Sequence, residues 1–454
     1  MIKKILSILC VSLSIIILSA NEMSKYNIII NNLRQPQITV PNPVTIPIKG
    51  NIPNEQGTDH SGDINSNINS IINSNTANST NNDNNISGIA GKPSNIIKNL
   101  YANSACLMDT FSGRVLYSKD ADKPLPMAST TKIMTCILAL ELGNPNDIVK
   151  ISRYASSMPD VQLNICENEQ YKLNDLLYSL MLESHNDTAV AIAEHIGGSV
   201  DNFAKLMNEK AAILGCKDTC FVTPNGLDKD NHHSTASDLC LIAAYAINNP
   251  EFIKIIQTPS YNFNELSGKR SFTVNNHDAF LGMYKGAIGI KTGFTGKAGY
   301  CFVGAAKQNN MTLVSAVLAS GWPPNKSYKW SDTCKLMDYG FNNYQLETIL
   351  NGPISLQPLP VINELNQSNS ADKIINLYCE GTYTLPVSSS DNIYLSFELP
   401  QKAVAPIETG TTMGLAHLIV NDNIVAQYPI TAANSAREYS YKDYFMFIID
   451  TLLS

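Results

Sequence analysis

The sequence has no basic cluster. Its 32 Lys and Arg stand against 39 Asp and Glu, for a formal charge of -7 and an isoelectric point near 5.5. That balance argues against nucleic acid as a partner, because a phosphate backbone is bound through a concentrated positive surface. Near the N-terminus the apolar run from Ile5 to Leu18 falls short of the roughly 20 residues that a helical bilayer span needs. Metal-ligand spacing is also missing. Cys216 and Cys220 are the only close cysteine pair, and no second pair or suitably placed histidine accompanies them. His232 and His233 are adjacent on an extended segment, where neighbouring side chains point apart, so neither a metal nor a cofactor is expected. From Asn21 to Asn99 aromatics and charge nearly vanish, leaving Pro-rich text and then Asn, Ser, Ile and Gly repeats. Such a stretch cannot bury enough apolar surface to offset its ordering entropy.

What is present begins with Met1-Ile2-Lys3-Lys4 ahead of that apolar run, the charged and hydrophobic regions of an export signal, with cleavage expected after Ala20. Leu18-Ser19-Ala20 is an imperfect small-x-small site, so an uncleaved anchor is the alternative, and Leu9 before Cys10 speaks against a lipoprotein site. Ten cysteines less Cys10 leave nine. An odd number in an exported chain implies no disulfide framework, or one with a thiol left over.

With 454 residues the chain has room for two or three domains. The reading is a signal at 1–20, a low-complexity tether at 21–99, a catalytic domain at 100–345, a small all-β domain at 346–434 and an amphipathic helix at 435–454. Ser104 to Asp109 and Arg114 to Tyr117 form a hairpin around Thr110-Phe111-Ser112-Gly113. Helical periodicity covers Asn174 to Glu183 and Asp187 to His195, broken by Ser184-His185-Asn186, then Val200 to Leu214 and Ser234 to Ile247. Gly289 to Thr295, Tyr300 to Lys307 and Met311 to Ser320 read as a strand and a meander, closed by a helix from Ser331 to Gly340. His195 and His277 are read as structural. The tail places Tyr441, Tyr444, Phe445, Ile448, Ile449, Leu452 and Leu453 on one stripe, suited to a membrane interface; docking onto the β-domain is the alternative.

The chemistry centres on Pro126-Met127-Ala128-Ser129-Thr130-Thr131-Lys132 and the apolar run that follows to Gly143. This reads as a buried helix with Ser129 in its first turn. Three residues apart, Lys132 reaches the Ser129 hydroxyl, and a lysine whose pKa is lowered by burial and neighbouring cations is a base for that hydroxyl. Alone the pattern is weak. It recurs at Ser370-Ala371-Asp372-Lys373 with no helix signal, and for Ser129 taken by itself a helix cap beside a solvent-facing lysine is the better reading. The polar clusters Ser184-His185-Asn186 and Lys291-Thr292-Gly293 follow in order, on an inter-helix loop and a strand.

Read together, these three clusters resemble the signatures of the penicillin-recognising serine acyltransferases. Ser390-Asp391-Asn392 matches the second by letter, but its place after the third excludes it. The longer text is similar to low-molecular-mass D-alanyl-D-alanine carboxypeptidases: Leu125 to Thr135, Gly289 to Tyr300, and Leu336-Met337-Asp338-Tyr339-Gly340, within a likeness from about Leu100 to Ala433. The resemblance implies an α+β fold of the β-lactamase/penicillin-binding-protein type, an antiparallel sheet with helices on both sides plus a helical region, followed by the all-β domain. It implies action outside the cytoplasmic membrane on peptidoglycan stem peptides, with β-lactam antibiotics as inhibitors. Lys132 would take the proton of Ser129, and the N–H groups of Ser129 and Phe294 would hold the oxyanion. Ser184 would relay the proton to the departing D-Ala, Asn186 hold the peptide amide, Lys291 and Thr292 meet the terminal carboxylate, and Gly293 let the substrate align along the strand. Two departures stand out: His185 where the family has a small residue, expected to narrow or re-polarise the cleft, and Lys326 or Lys329 where an arginine is common. The rival readings are a serine β-lactamase, which needs a positioned glutamate and finds only Glu194 and Glu209 in helices, and a non-catalytic penicillin sensor or wall-binding module.

Overall fold

The computed structural model describes residues 45–47, 97, 99–362, 374–438 and 440–453. The expected export signal, the second Ser-x-x-Lys at 370–373 and nearly all of the expected tether lie outside them. The described residues fall into two compact units, one ending at Leu346 and the other made of Thr45–Pro47 and the residues from Glu347 onward.

The first unit is built on a five-stranded antiparallel sheet, in the order Val115–Lys119, Ser104–Asp109, Met311–Leu318, Gly299–Gln308, Ala287–Thr295. Alternation along the strands sends residues to two faces. Cys106, Met108, Val303 and Val314 join one core with the helices Lys132–Leu142, Leu173–Leu182, Asn186–Gly197 and Ala236–Ala246. Ala105, Leu107, Phe302 and Leu313 face the other way, against Leu336 and Met337 of the Tyr328–Asn343 helix. Asp332 on that helix is fully buried and accepts the Tyr101 and Ala102 N–H groups and the Ser320 hydroxyl, tying the start of the fold to the sheet.

The helices begin where local chemistry satisfies their first N–H groups. Ser199 accepts from Asn202 N, Thr235 from Asp238 N, and Asn249 from Glu251 N and Phe252 N with Pro250 at the first helical position. Two small antiparallel pairs complete the unit, Ile148–Lys150 with Gln170–Lys172 and Ser260–Asn264 with Ser271–Asn275.

Among the described residues the second unit is all-β apart from the Tyr441–Leu453 helix. Its larger sheet has seven strands, in the order Thr45–Pro47, Ile393–Glu398, Thr412–Val420, Asn423–Ala432, Ile374–Cys379, Ile354–Ile362, Ala403–Val404. Thr45–Pro47 comes from the stretch expected to be a tether and pairs antiparallel with the edge strand, Thr45 opposite Ser396 and Pro47 opposite Tyr394. Ser390-Asp391-Asn392 is the turn leading into that edge strand, with Ser388 and Ser390 hydroxyls 2.9 Å apart.

Candidate active site

Ser129 does not sit in the first turn of the α-helix, as expected. It lies in a 3-10 turn, Ala128–Thr131, that runs directly into the α-helix opening at Lys132. The tighter turn has a local cause. Ala128 is held at φ +49°, uncommon for a residue with a Cβ, while the Thr130 and Thr131 hydroxyls donate back to Met127 O at 2.7 Å and Ala128 O at 2.8 Å. The loop carrying Asn225 and Gly226 closes the other side. A Cβ on Gly226 would come within 2.0 Å of Ala128 O, so only bare backbone fits there.

Lys132 is fully buried, and its Nζ lies 2.9 Å from Ser129 Oγ, 2.8 Å from Asn186 Oδ1 and 2.6 Å from Asn225 O. Burial, followed by the charge of Lys291, holds its ammonium well below the ordinary lysine range, with Asp187 acting the other way. A neutral amine has two N–H bonds and one lone pair. In that form, with the two carbonyl oxygens taking the N–H groups, the lone pair would face the Ser129 hydroxyl.

Asn186 opens the Asn186–Gly197 helix. Its Nδ2 donates to Pro159 O at 3.1 Å and Asp160 O at 3.0 Å, which fixes the amide with its oxygen toward Lys132. Two residues earlier Ser184 is held at φ +71°, and its Oγ is buried with no hydrogen-bond partner among the described residues. His185, expected to narrow or re-polarise the cleft, is buried between these two residues. The backbone is extended at His185, between the left-handed Ser184 and the first helical residue Asn186. The buried ring packs back on the preceding helix, with Nδ1 2.8 Å from Ser179 Oγ and Nε2 3.3 Å from Glu183. Burial and the charge of Lys132 bring its pKa down to about 4.

The third cluster lies on the edge strand Ala287–Thr295, with Lys291 opposite Val303 and Gly293 opposite Cys301. A Cβ on Gly293 would stand 3.0 Å from Ser129 N and 3.1 Å from Met127 O, so the strand backbone lies directly against the serine turn. Lys291 is buried, and its Nζ donates to Thr292 O at 3.2 Å. Its pKa falls to about 8 because of burial, with Asp278 pulling up and Lys329 pushing down. Asp278 accepts the N–H groups of Ile290 and Phe280, each at 3.0 Å, and burial raises its pKa to about 6. Of the two lysines expected where an arginine is common, Lys329 is the one in this group. It is buried with its Nζ 4.9 Å from the Tyr300 ring centroid and 4.8 Å from that of Trp330, and burial lowers its pKa to about 8. Thr292 is half-buried, and Phe294 is 43% exposed with its ring against Tyr300.

A family model described as D-alanyl-D-alanine carboxypeptidase matches residues 90–321, which hold all three clusters. The chain belongs to this family. A second model, penicillin-binding protein 5 C-terminal domain, matches residues 364–438. Curated carboxypeptidases that it resembles include DacF of Bacillus subtilis, 29% identical over 75% of this chain and 87% of the relative, and DacA of Haemophilus influenzae, 30% identical over 74% and 86%. Among solved structures, penicillin binding protein 5 of Haemophilus influenzae superimposes with a TM-score of 0.61 at 28% identity, covering 76% of this chain and 99% of that one. The Streptomyces K15 DD-transpeptidase does so at 0.51 and 32%, over 54% and 98%.

Within this carboxypeptidase fold, four further residues at the site escaped the sequence reading: Asn225, Gly226, Asp278 and His232. The Asn-Gly pair carried a turn signal, whereas nothing local marks Asp278 as lying behind Lys291. His232 and His233 part as expected for neighbours on an extended segment, the first bonded to Thr131 and the second to Asp218 at 3.1 Å.

Proposed function

We propose that Ser129 is the nucleophile through which this serine D-alanyl-D-alanine carboxypeptidase removes the terminal D-Ala of peptidoglycan stem peptides, and the residue acylated by penicillins. The observation that carries the assignment is the Lys132 amine, buried and shared between Ser129 Oγ and Asn186 Oδ1. Lys132 takes the hydroxyl proton as Ser129 attacks the penultimate carbonyl, and the N–H groups of Ser129 and Phe294 receive the oxyanion. Ser184, with its unpartnered hydroxyl, passes the proton to the departing D-Ala nitrogen. Asn186 holds the peptide amide, and Lys291, Thr292 and Lys329 meet the substrate carboxylate across the gap left by Gly293. Water then cleaves the acyl-enzyme.

The β-lactamase alternative needs a glutamate free to activate that water. Glu194, one of the two helix glutamates weighed for that role, accepts the Ser152 hydroxyl at 2.6 Å.

The setting follows from the same reading: export to the outer face of the cytoplasmic membrane, with the Tyr441–Leu453 helix lying on the lipid surface. Among the described residues no single helix is long and apolar enough to cross a membrane. This helix leaves Tyr441, Phe445, Ile448, Leu452 and Leu453 exposed, a face suited to an interface.

The experiment is D-Ala release from a defined pentapeptide, run beside penicillin hydrolysis. Release of many D-Ala per enzyme molecule that stops with Ser129→Ala supports the assignment. Rapid penicillin turnover without D-Ala points to a β-lactamase, and acylation that stalls on both substrates points to a sensor.

A further inference from the structure

The peptide group that presents Ser129 is held from behind by two side chains, Thr131 of the first cluster and His232 outside all three. The Thr131 hydroxyl donates to Ala128 O at 2.8 Å and lies 3.0 Å from His232 Nε2, while His232 Nδ1 accepts the N–H of Val222 at 3.0 Å. A backbone N–H can only donate, so Nδ1 is the bare nitrogen and the ring proton sits on Nε2, pointing to Thr131. The donors therefore run one way, from Val222 N–H through the imidazole and the Thr131 hydroxyl to the Ala128 carbonyl. That carbonyl and the Ser129 N–H are the two ends of one planar peptide group. A hydrogen bond accepted at the oxygen draws charge through the amide and strengthens its N–H as a donor.

The ring also steadies the opposite wall. Val222 and Thr223 lead into Pro224 and Asn225, whose carbonyls receive Thr135 Oγ1 at 2.6 Å and Lys132 Nζ at 2.6 Å. His232 is buried, and burial together with His233 holds its pKa near 4. It therefore keeps a single ring proton at neutral pH.

We propose that His232 is a positioning residue for acyl transfer: through Thr131 it orients and polarises the Ala128–Ser129 peptide whose N–H receives the oxyanion, and through Val222 it sets the segment that holds Lys132. This rests on Ser129 being the nucleophile with its own N–H as an oxyanion donor. A histidine that served only packing would alter stability and leave the acylation step alone.

The test uses the full chain with a fluorescent penicillin, resolving the limiting acylation rate from the half-saturating concentration, with thermal unfolding in parallel and the adduct mapped by mass spectrometry. His232→Leu is expected to slow limiting acylation about tenfold with little change in half-saturation, well short of the loss from deleting an oxyanion donor outright. His232→Gln keeps an acceptor for Val222 and a donor for Thr131, and is expected to recover the rate to within about threefold of the parent, since both ends of the chain are retained. Thr131→Val removes only the hydroxyl and is expected to copy His232→Leu; should His232→Leu fail to fold, it carries the test. Wild-type rates in a folded His232→Leu or in Thr131→Val would overturn the proposal, as would a well-folded His232→Gln as slow as His232→Leu. Failure of the underlying reading looks different: the wild-type adduct would map away from Ser129.

Discussion

A Cβ on Gly293 would stand 3.0 Å from the backbone nitrogen of Ser129. Strand and serine turn thus meet backbone to backbone, and the gap beside Ser129 N–H exists only because position 293 lacks a side chain. Gly293→Ala is expected to fill the place of the oxyanion and cut penicillin acylation about 100-fold, on the order of losing one oxyanion donor. The second-order labelling rate checks this, and an unchanged rate would mean that the oxyanion lies elsewhere.

Asn186 joins two jobs that one substitution separates from the nucleophile. Asn186→Leu takes the acceptor from Lys132 and the donor from Pro159 and Asp160. Expected are a loss of about 1 to 3 kcal/mol in urea unfolding, from polar groups left unpaired, and slowed acylation with the adduct still on Ser129.

The lysines behind the third cluster give a pH signature. Lys291 and Lys329 both have pKa values near 8, so they are cationic below that and lose their protons as pH rises through it. The KM of a D-Ala-D-Ala peptide is therefore expected to climb above pH of about 8 as attraction for its carboxylate fades, while a C-terminally amidated analogue shows no such climb. Steady-state kinetics on the two peptides from pH 6 to 10 decide it.

Asp278 raises the pKa of Lys291. Removing its negative charge disfavours the lysine cation, so Asp278→Asn is expected to move the KM break to lower pH. A break that stays put would show that Asp278 serves only the Ile290 and Phe280 N–H groups.

The exposed face of the Tyr441–Leu453 helix is tested with vesicles. Phe445→Glu with Leu452→Glu removes two apolar side chains from the stripe, and co-sedimentation with anionic vesicles is expected to fall by about tenfold or more. D-Ala release from a soluble peptide is expected to stay at the parent level.

Much of this site was legible because its chemistry sits in side chains at fixed spacing. Ser129, Lys132, Asn186 and Gly293 meet as the three clusters imply, and the apolar run after Lys132 foretold a buried helix. Other parts had no letter to announce them. The acceptor on Lys132 at Asn225 is a backbone carbonyl, and its place depends on a turn packing against Ala128. The 3-10 turn at Ser129 arises where two threonine hydroxyls bond backward, although Pro126 and the apolar run equally suit an α-helix starting earlier. Nor does the size of His185 show where its ring rests; contacts with Ser179 on the preceding helix and Glu183 at its end decide that. The Pro250–Gln257 helix was missed despite its signal, Asn249 before Pro250.

The short strand Thr45–Pro47 has a consequence for solubility. A bare sheet edge offers its N–H and C=O groups to any other chain in reach, which is how sheets recruit copies of themselves into aggregates. Here the Ile393–Glu398 edge is already taken. The new outermost strand is three residues long and ends on Pro47, which has no N–H to give, so growth from this side is blocked by the protein's own N-terminal segment.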